Sequence, residues 1–212
     1  MDKLKVATGD ISRWEQLYNN QFVTLPWVSA DVPLHPLREF FDLLEPPKRI
    51  LDFGCGNGRV AEVLDRWGAT VIGADCADAA LNKARPLQLG SYVRACSLDE
   101  FVEREFNGLV LWGVLHHYAP QTWSTWLELA SKVLLSQGLM LLGGFDCTDT
   151  GFEDKPVRVS PTTGVNAYCL HETLIENVMK NVGCSIIESN VIELQDGVTE
   201  KQRTWRYVIG RI

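Results

Sequence analysis

No apolar run in this chain reaches the ~18 residues that suggest a membrane span. The opening Met1-Asp2-Lys3-Leu4-Lys5 lacks the apolar core of a signal peptide, so the expectation is a cytoplasmic protein without a membrane partner. A basic excess is also missing. Lys and Arg number 20 against 27 Asp and Glu, a formal net charge of −7, which argues against a nucleic-acid partner. Cys-x-x-Cys pairs are absent. The six cysteines (Cys55, Cys76, Cys96, Cys147, Cys169 and Cys184) are therefore expected to be reduced structural thiols. No His/Cys/Asp/Glu group has metal-ligand spacing, so no metal is expected. No Ser/His/Asp pattern accompanies a nucleophile elbow. Internal repeats and low-complexity tracts are lacking too. What remains is 212 residues, 46% hydrophobic and 22% charged, ordinary for a globular chain. A chain of this length buries roughly 70% of its unfolded surface and needs no disulfide or metal to hold a core.

Hydrophobic spacing predicts a helix from Ser12 to Phe22, with Ser12 as cap and Glu15 completing a capping box. A proline-bearing loop with Trp27 follows. A second helix is expected from Pro36 to Leu44, closed by Pro46-Pro47. Strands and helices then alternate. Strands are expected at 50–53, 70–74, 92–96, 109–114 and 139–143, and helices from Val60, over 77–85, over 122–135 and over 171–182. Residues 145–168 read as an irregular loop, long enough to suggest work at a site. Ser185–Leu194 and Thr204–Arg211 form a terminal antiparallel hairpin. The pattern predicts an α/β fold: a doubly wound, mostly parallel sheet with helices on both faces. In such sheets ligands bind beyond the carboxyl ends of the strands.

The chain is centred on Ile50-Leu51-Asp52-Phe53-Gly54-Cys55-Gly56-Asn57-Gly58-Arg59. A buried strand breaks into three alternate glycines and then becomes a helix. That arrangement brings backbone N–H groups up to a small ligand. A second strand ends on Asp75, close to the ~20-residue offset at which an acid meets ribose hydroxyls. A phosphate-cradling P-loop would need Gly-Lys-Ser/Thr, and Gly58-Arg59-Val60 does not supply it. A dinucleotide fold would prefer Gly-x-Gly-x-x-Gly, whereas Arg59 stands at the third-glycine position.

The Gly-x-Gly-x-Gly spacing after Leu51-Asp52 resembles the first motif of class I S-adenosylmethionine-dependent methyltransferases. Asp75 stands where that family has its ribose-binding acid. Residues 106–117, ending Trp112-Gly113-Val114-Leu115-His116-His117, resemble its fourth-strand motif. Leu134-Leu135-Ser136-Gln137-Gly138 resembles the turn before its fifth strand. Asn107 and Ser136-Gln137 depart from the usual Asp and Pro-Gly. The resemblance covers roughly residues 46–145. It implies a seven-stranded sheet and S-adenosylmethionine as cofactor. Asp52, Phe53, Gly54, Cys55, Gly56, Asn57 and Gly58 would face its methionine end. Asp75 would hold the ribose, Cys76, Ser97 and Leu98 would edge the adenine, and Trp112 and Gly113 would lie near the reacting centre.

Trp14, Tyr18 and the Pro26-Trp27 loop resemble, over a short stretch, the N-terminal cover of thiopurine-, thiol- and tellurite-type methyltransferases. Residues 1–45 are therefore expected as a helical cover on a methyltransferase unit of residues 46–212. Aromatic faces attract a sulfonium by ~0.5–2 kcal/mol when desolvated. Trp14 and Tyr18 could equally pack the helix on the sheet, whereas Trp27, placed in a loop, is read in favour of a site role. His116, His117 and His171 are candidates for a base or for orienting an acceptor. The competing reading for the first two is packing and capping. The expected function is methyl transfer to a small-molecule acceptor. A non-catalytic cofactor-binding or regulatory protein on the same fold, and an NAD-dependent enzyme, are the alternatives.

Overall fold

The computed structural model describes residues 8–20, 25–87, 90–152, 155–160 and 163–212. In chain order the helices are α1 (Thr8–Asn19), α2 (Leu34–Asp42), α3 (Arg59–Arg66), α4 (Asp78–Ala84), α5 (Trp123–Val133) and α6 (Glu172–Asn181). The strands are β1 (Arg49–Phe53), β2 (Thr70–Asp75), β3 (Ser91–Arg94), β4 (Phe106–Trp112), β5 (Leu134–Phe145), β6 (Val157–Val159), β7 (Asn166–Tyr168), β8 (Ser185–Gln195) and β9 (Gln202–Arg211). Seven strands form one sheet in the order β3-β2-β1-β4-β5-β9-β8. The first five run parallel, while β9 is antiparallel to both β5 and β8. The expected doubly wound sheet with a terminal hairpin is observed.

Both faces of the sheet are buried, which is why its central strands read as unbroken apolar runs. Successive side chains point to opposite faces. Leu109, Leu111, Met140, Leu142 and Val208 enter one core with α5 and α6. Val110, Leu139, Leu141, Tyr207 and Ile209 enter the other with α2 and α3. Helix α5 turns Trp123, Trp126, Leu127, Ala130 and Val133 inward at helical spacing. Trp123 and Trp126 are fully buried, and truncating such a side chain costs ~3–5 kcal/mol. Helix α2 buries Leu37, Phe40 and Phe41 against the sheet.

Several expectations need correction. Helix α1 starts at Thr8, so Ser12 lies inside it and does not cap it. Glu15 serves elsewhere. Its carboxylate accepts from the Asn19 side chain (3.2 Å) and from the backbone N–H of Ala79 (3.2 Å), in the first turn of α4. A capping-box pattern is local, and a carboxylate at helix spacing can equally reach a neighbouring helix. The expected helix end at Phe22 lies outside the described residues. Strand β4 starts three residues earlier and ends two earlier, at Trp112, so His116 and His117 sit on a short 3-10 turn, Leu115–His117, and not on the strand end. The stretch expected to be irregular contains the β6–β7 hairpin, a separate two-stranded sheet. Its strands are three residues long, too short for alternation to show in sequence.

The cysteines need a further correction. Cys147 and Cys169 form a disulfide, while Cys55, Cys76, Cys96 and Cys184 are not disulfide-bonded. The pair lies 22 residues apart in sequence. It meets because the chain after β7 returns alongside the end of β5, where Leu170 N–H donates to the Phe145 carbonyl (2.7 Å). Among the described residues no helix is long and apolar enough to cross a membrane, and no three His, Cys, Asp or Glu side chains are grouped to hold a metal ion.

Candidate active site

The glycine turn follows directly on β1. Gly54, Gly56 and Gly58 have φ of +77°, +55° and +82°, a region that side-chain-bearing residues rarely enter. The N–H groups of Gly54 and Cys55 donate to the Ala74 carbonyl (2.7 and 2.9 Å), stitching the turn to the end of β2. A Cβ on Gly54 would collide with Val114, and one on Gly56 would stand 2.6 Å from the Tyr18 hydroxyl. The turn therefore needs glycine for its backbone and for its surroundings.

Two buried carboxylates flank it. Asp75 accepts from Gly56 N–H and Ala77 N–H, both at 2.9 Å. Burial nevertheless outweighs these bonds and those from Cys76, and raises its pKa. Of its donors, which include the Cys76 backbone N–H, the Cys76 thiol is the weakest and the one a ribose hydroxyl would displace. Asp52 is 2% exposed, and the Ala61 backbone at the start of α3 favours its ionised form. Its other oxygen, Oδ2, has no partner among the described residues. Burial, opposed by Ala61 and reinforced by Asp75, pushes this carboxyl up to about 7. A buried carboxylate oxygen without a donor is a seat for a cation such as an ammonium group. Asp52 and Asp75, 23 residues apart in the sequence, thus fit the two ends of an amino-acid nucleoside.

The other expected cofactor residues divide. Cys55 is buried under the turn, and burial beside Asp52 raises its thiol pKa. Phe53 packs inward on Phe101 and Trp126, leaving its backbone to the turn. The Asn57 side chain donates to the Val28 carbonyl (3.2 Å), so it holds the N-terminal segment. Ser97 and Leu98 are fully buried after β3, where the Glu100 carboxylate accepts from the N–H groups of Cys96 (2.8 Å) and Ser97 (3.0 Å). Cys76 is half-buried, its pKa raised by burial and by Asp75.

The N-terminal segment packs on the turn, with Tyr18 beside Gly56 and the Val28 carbonyl on Asn57. Trp27 Nε1 donates to the Tyr18 hydroxyl (3.0 Å), and Trp14 meets Trp27 edge-on at 5.8 Å. Arg59 reaches the Ala30 carbonyl. Gly197, in the β8–β9 turn, approaches Ser29 and Ala30 so closely that a Cβ there would strike their backbone. Asp196-Gly197 reads as a plain hairpin turn in sequence, and it also docks the cover.

On the acceptor side, Trp112 lies flat across Gly143 and stacks on Trp205 (5.4 Å, 12°). Phe145 is paired across the sheet with Trp205 and contacts it at 4.7 Å. His116 touches Phe145 (4.9 Å) and Trp205 (5.6 Å), and its ring lies 4.0 Å from that of His117. His117 meets Trp14 of the cover at 4.8 Å. Gly113 at φ +73° leaves ordinary contact distances to His116 and Trp205. Trp123 Nε1 donates to the carbonyls of Leu115 (3.0 Å) and Tyr118 (2.9 Å), fixing the turn that carries both histidines. Burial drives the His116 pKa well down and the His117 pKa to about 4, so both rings are neutral near pH 7. His116 Nδ1 is buried without a partner among the described residues. His117 Nδ1 lies 3.2 Å from the Asn166 carbonyl. His171 is exposed at the N-cap of α6 and makes no ring contact with either histidine.

Trp205, Gly143 and Asn166 escape sequence reasoning. Trp205 and Asn166 become neighbours of the histidines only through strand register and the hairpin. The Gly143-Gly144 pair beside an apolar strand was the available signal, since paired glycines mark a close approach.

A turn of three left-handed glycines between two buried acids, at the carboxyl ends of the parallel strands of the β3-β2-β1-β4-β5-β9-β8 sheet, defines a nucleoside-binding α/β unit of the methyltransferase kind. A family model described as "Methyltransferase domain" matches residues 30–189, and the chain belongs to that family, the class I S-adenosylmethionine-dependent methyltransferases. A curated relative, a ubiquinone biosynthesis O-methyltransferase of Hahella chejuensis, is 36% identical over 113 residues, 47% of this chain. The match spans 45% of that relative's length. Among solved structures, a SAM-dependent methyltransferase of Methanosarcina mazei superposes with a TM-score of 0.70 at 18% identity, covering 85% of this chain and 97% of the other. The 1,6-didemethyltoxoflavin-N1-methyltransferase of Burkholderia thailandensis, solved with that acceptor and S-adenosylhomocysteine, reaches 0.62 at 19% identity, covering 83% and 77%. At these identities the two structures establish the shared fold.

Proposed function

We propose that the protein transfers a methyl group from S-adenosylmethionine to a hydroxyl group on a planar small molecule, with residues 1–45 serving as the cover of a catalytic unit of residues 46–212. The observation that carries this reading is His117. Its Nδ1 faces a backbone carbonyl, which only accepts, so Nδ1 bears the proton. Nε2 is then a bare lone pair, and it makes no hydrogen bond among the described residues. The aromatic wall that runs from Trp14 and His116 beside it to Phe145 and Trp205 beyond His116 suits a flat acceptor.

The cofactor, when bound, supplies a methyl carbon on a positively charged sulfur that departs as a neutral thioether. Asp52 would hold its ammonium end, Asp75 its ribose and the glycine turn its carboxylate side. His117 Nε2 takes the proton of the acceptor hydroxyl as oxygen bonds to carbon; with its pKa lowered to about 4 it is a weaker base than an ordinary imidazole, and its contribution lies at the low end of the ~10²–10⁴ range of a positioned base. The aromatic wall aligns the acceptor with the donor and excludes water, and alignment supplies much of the remaining acceleration. The O-methyltransferase name of the curated relative supports an oxygen acceptor.

The test is a methylation panel of catechols, phenols, thiols and amines, run beside calorimetry with S-adenosylhomocysteine. Catechol or phenol methylation is expected. Cofactor-product binding without turnover of any acceptor would favour the non-catalytic alternative. No binding at millimolar concentration by folded protein would overturn the reading altogether.

A further inference from the structure

The β6–β7 hairpin does two things beyond its own sheet. Asn166 on β7 presents its carbonyl to His117, and the Thr163 carbonyl accepts from Arg13 of α1 (2.6 Å). The first contact has a chemical consequence. A neutral imidazole carries its proton on the nitrogen that its surroundings bond, so the Asn166 carbonyl decides which nitrogen of His117 is bare. Backbone at residue 166 therefore selects between a ring that can accept a proton at Nε2 and one that cannot.

What keeps that carbonyl in place is distinct for the two strands. Strand β6 is anchored by polar bonds, since Arg158 bonds Asp149 (3.0 Å), which in turn accepts from Arg203 and from Thr204 N–H. Strand β7 makes no such side-chain bond among the described residues: it is held by its ladder to β6, where Asn166 lies opposite Val159, and by Tyr168 packing on the main core. It joins the main sheet through Leu170 N–H to Phe145, and through the Cys147–Cys169 disulfide immediately after its last residue. The apolar contacts around the disulfide are few: Phe152, Ala167, Phe145 and the two cysteines.

We propose that the Cys147–Cys169 pair is a redox latch on His117: the disulfide holds the Asn166 carbonyl against Nδ1, and the dithiol releases it. Closing the latch transfers two electrons and two protons from the thiols to a disulfide oxidant such as glutathione disulfide, which leaves as two thiol molecules. Reduction frees the ring to place its proton on Nε2, and the base is lost while the glycine turn is untouched. The proposal rests on the reading of His117 as the base. Asn166 is a positioning residue in it, acting through the imidazole.

The experiment uses the full chain in two states, oxidised with glutathione disulfide and reduced with dithiothreitol. Thiol counts under denaturation should read four and six. The His117 ring nitrogens are followed by ¹⁵N nuclear magnetic resonance, and S-adenosylhomocysteine affinity by calorimetry. In the oxidised state Nδ1 should carry the proton. In the reduced state the Nε2-protonated form should appear, with affinity for S-adenosylhomocysteine unchanged. A Cys147→Ser/Cys169→Ser variant should resemble the reduced protein and ignore dithiothreitol. An unchanged His117 tautomer on reduction overturns the latch, as does a tautomer shift with dithiothreitol in the double variant. If that variant does not fold, the reduced natural chain decides alone. A tautomer shift in protein that binds no S-adenosylhomocysteine would support the latch and refute the methyltransferase reading, so the two fail separately.

Discussion

The two halves of the site are built by different means. The cofactor half comes from one continuous run, β1 through β2, residues 49–75, and depends on backbone: three glycines at positive φ and two buried acids. The acceptor half is gathered from α1, the turn after β4, the end of β5, the β6–β7 hairpin and the start of β9, and depends on side chains touching across the fold. A half made of local backbone tolerates almost no substitution and is readable from spacing. A half made of distant side chains can be remodelled contact by contact, which is how one fold accommodates many acceptors.

Five tests would separate the halves, and the largest effect belongs to the acceptor side. His117→Gln should lower kcat by up to ~10², the low end for a positioned base, while leaving S-adenosylhomocysteine affinity within about twofold. A parallel loss of affinity in calorimetry would merge the halves. Asp75→Ala should weaken S-adenosylhomocysteine by at least about tenfold, ~1.4 kcal/mol, because it removes the ribose partner and leaves Gly56 and Ala77 N–H groups unpaired. Unchanged affinity would remove Asp75 from the site.

Titration sharpens the comparison further. The Asp52 carboxyl is raised to about 7, and a ligand ammonium binds only its ionised form. Affinity for S-adenosylhomocysteine should therefore rise with pH up to about 7, by as much as about tenfold per unit, and level off above it. Asp52→Asn should flatten that dependence, and a dependence that persists would place the titrating group elsewhere. On the acceptor side the sign is set by His117, lowered to about 4 from the ordinary 6.5. The unfolded chain takes up its proton first, so the stability this neutral ring contributes is complete above 6.5. It is lost as pH falls toward about 4. The denaturation midpoint of His117→Gln should fall less than that of the natural chain between pH 7 and pH 5. The smallest effect is expected from Arg13→Ala, which removes the Thr163 contact between cover and hairpin. It should raise amide exchange in α1 at a cost of ~0.5–1.5 kcal/mol or less, with affinity for S-adenosylhomocysteine nearly unchanged.

Much of the fold was legible because its signals are local. Alternation and helical spacing place nearly all the strands and helices, and the terminal hairpin follows from two apolar runs around Asp196-Gly197. Local signals misled where a group had a distant alternative. Glu15 suits a capping box and instead meets Ala79 in α4. His116 and His117 read as a strand end and lie on a turn held by Trp123. The cysteines read as six thiols, since spacing carries no information about a pair joined by the return of the chain after β7.

The sequence by itself determined the cofactor half. Gly54, Gly56 and Gly58 dictate their own backbone, and Asp52 and Asp75 are tied to it within a few residues of strand. Tertiary structure alone decided the proposed acceptor half: that Trp205 stacks on Trp112, that the Asn166 carbonyl faces His117 Nδ1, and that Cys147 meets Cys169. The physical reason is range. Backbone conformation is chosen by neighbours in the chain, whereas the environment of a side chain is chosen by whatever the sheet register and the covering segments bring to it.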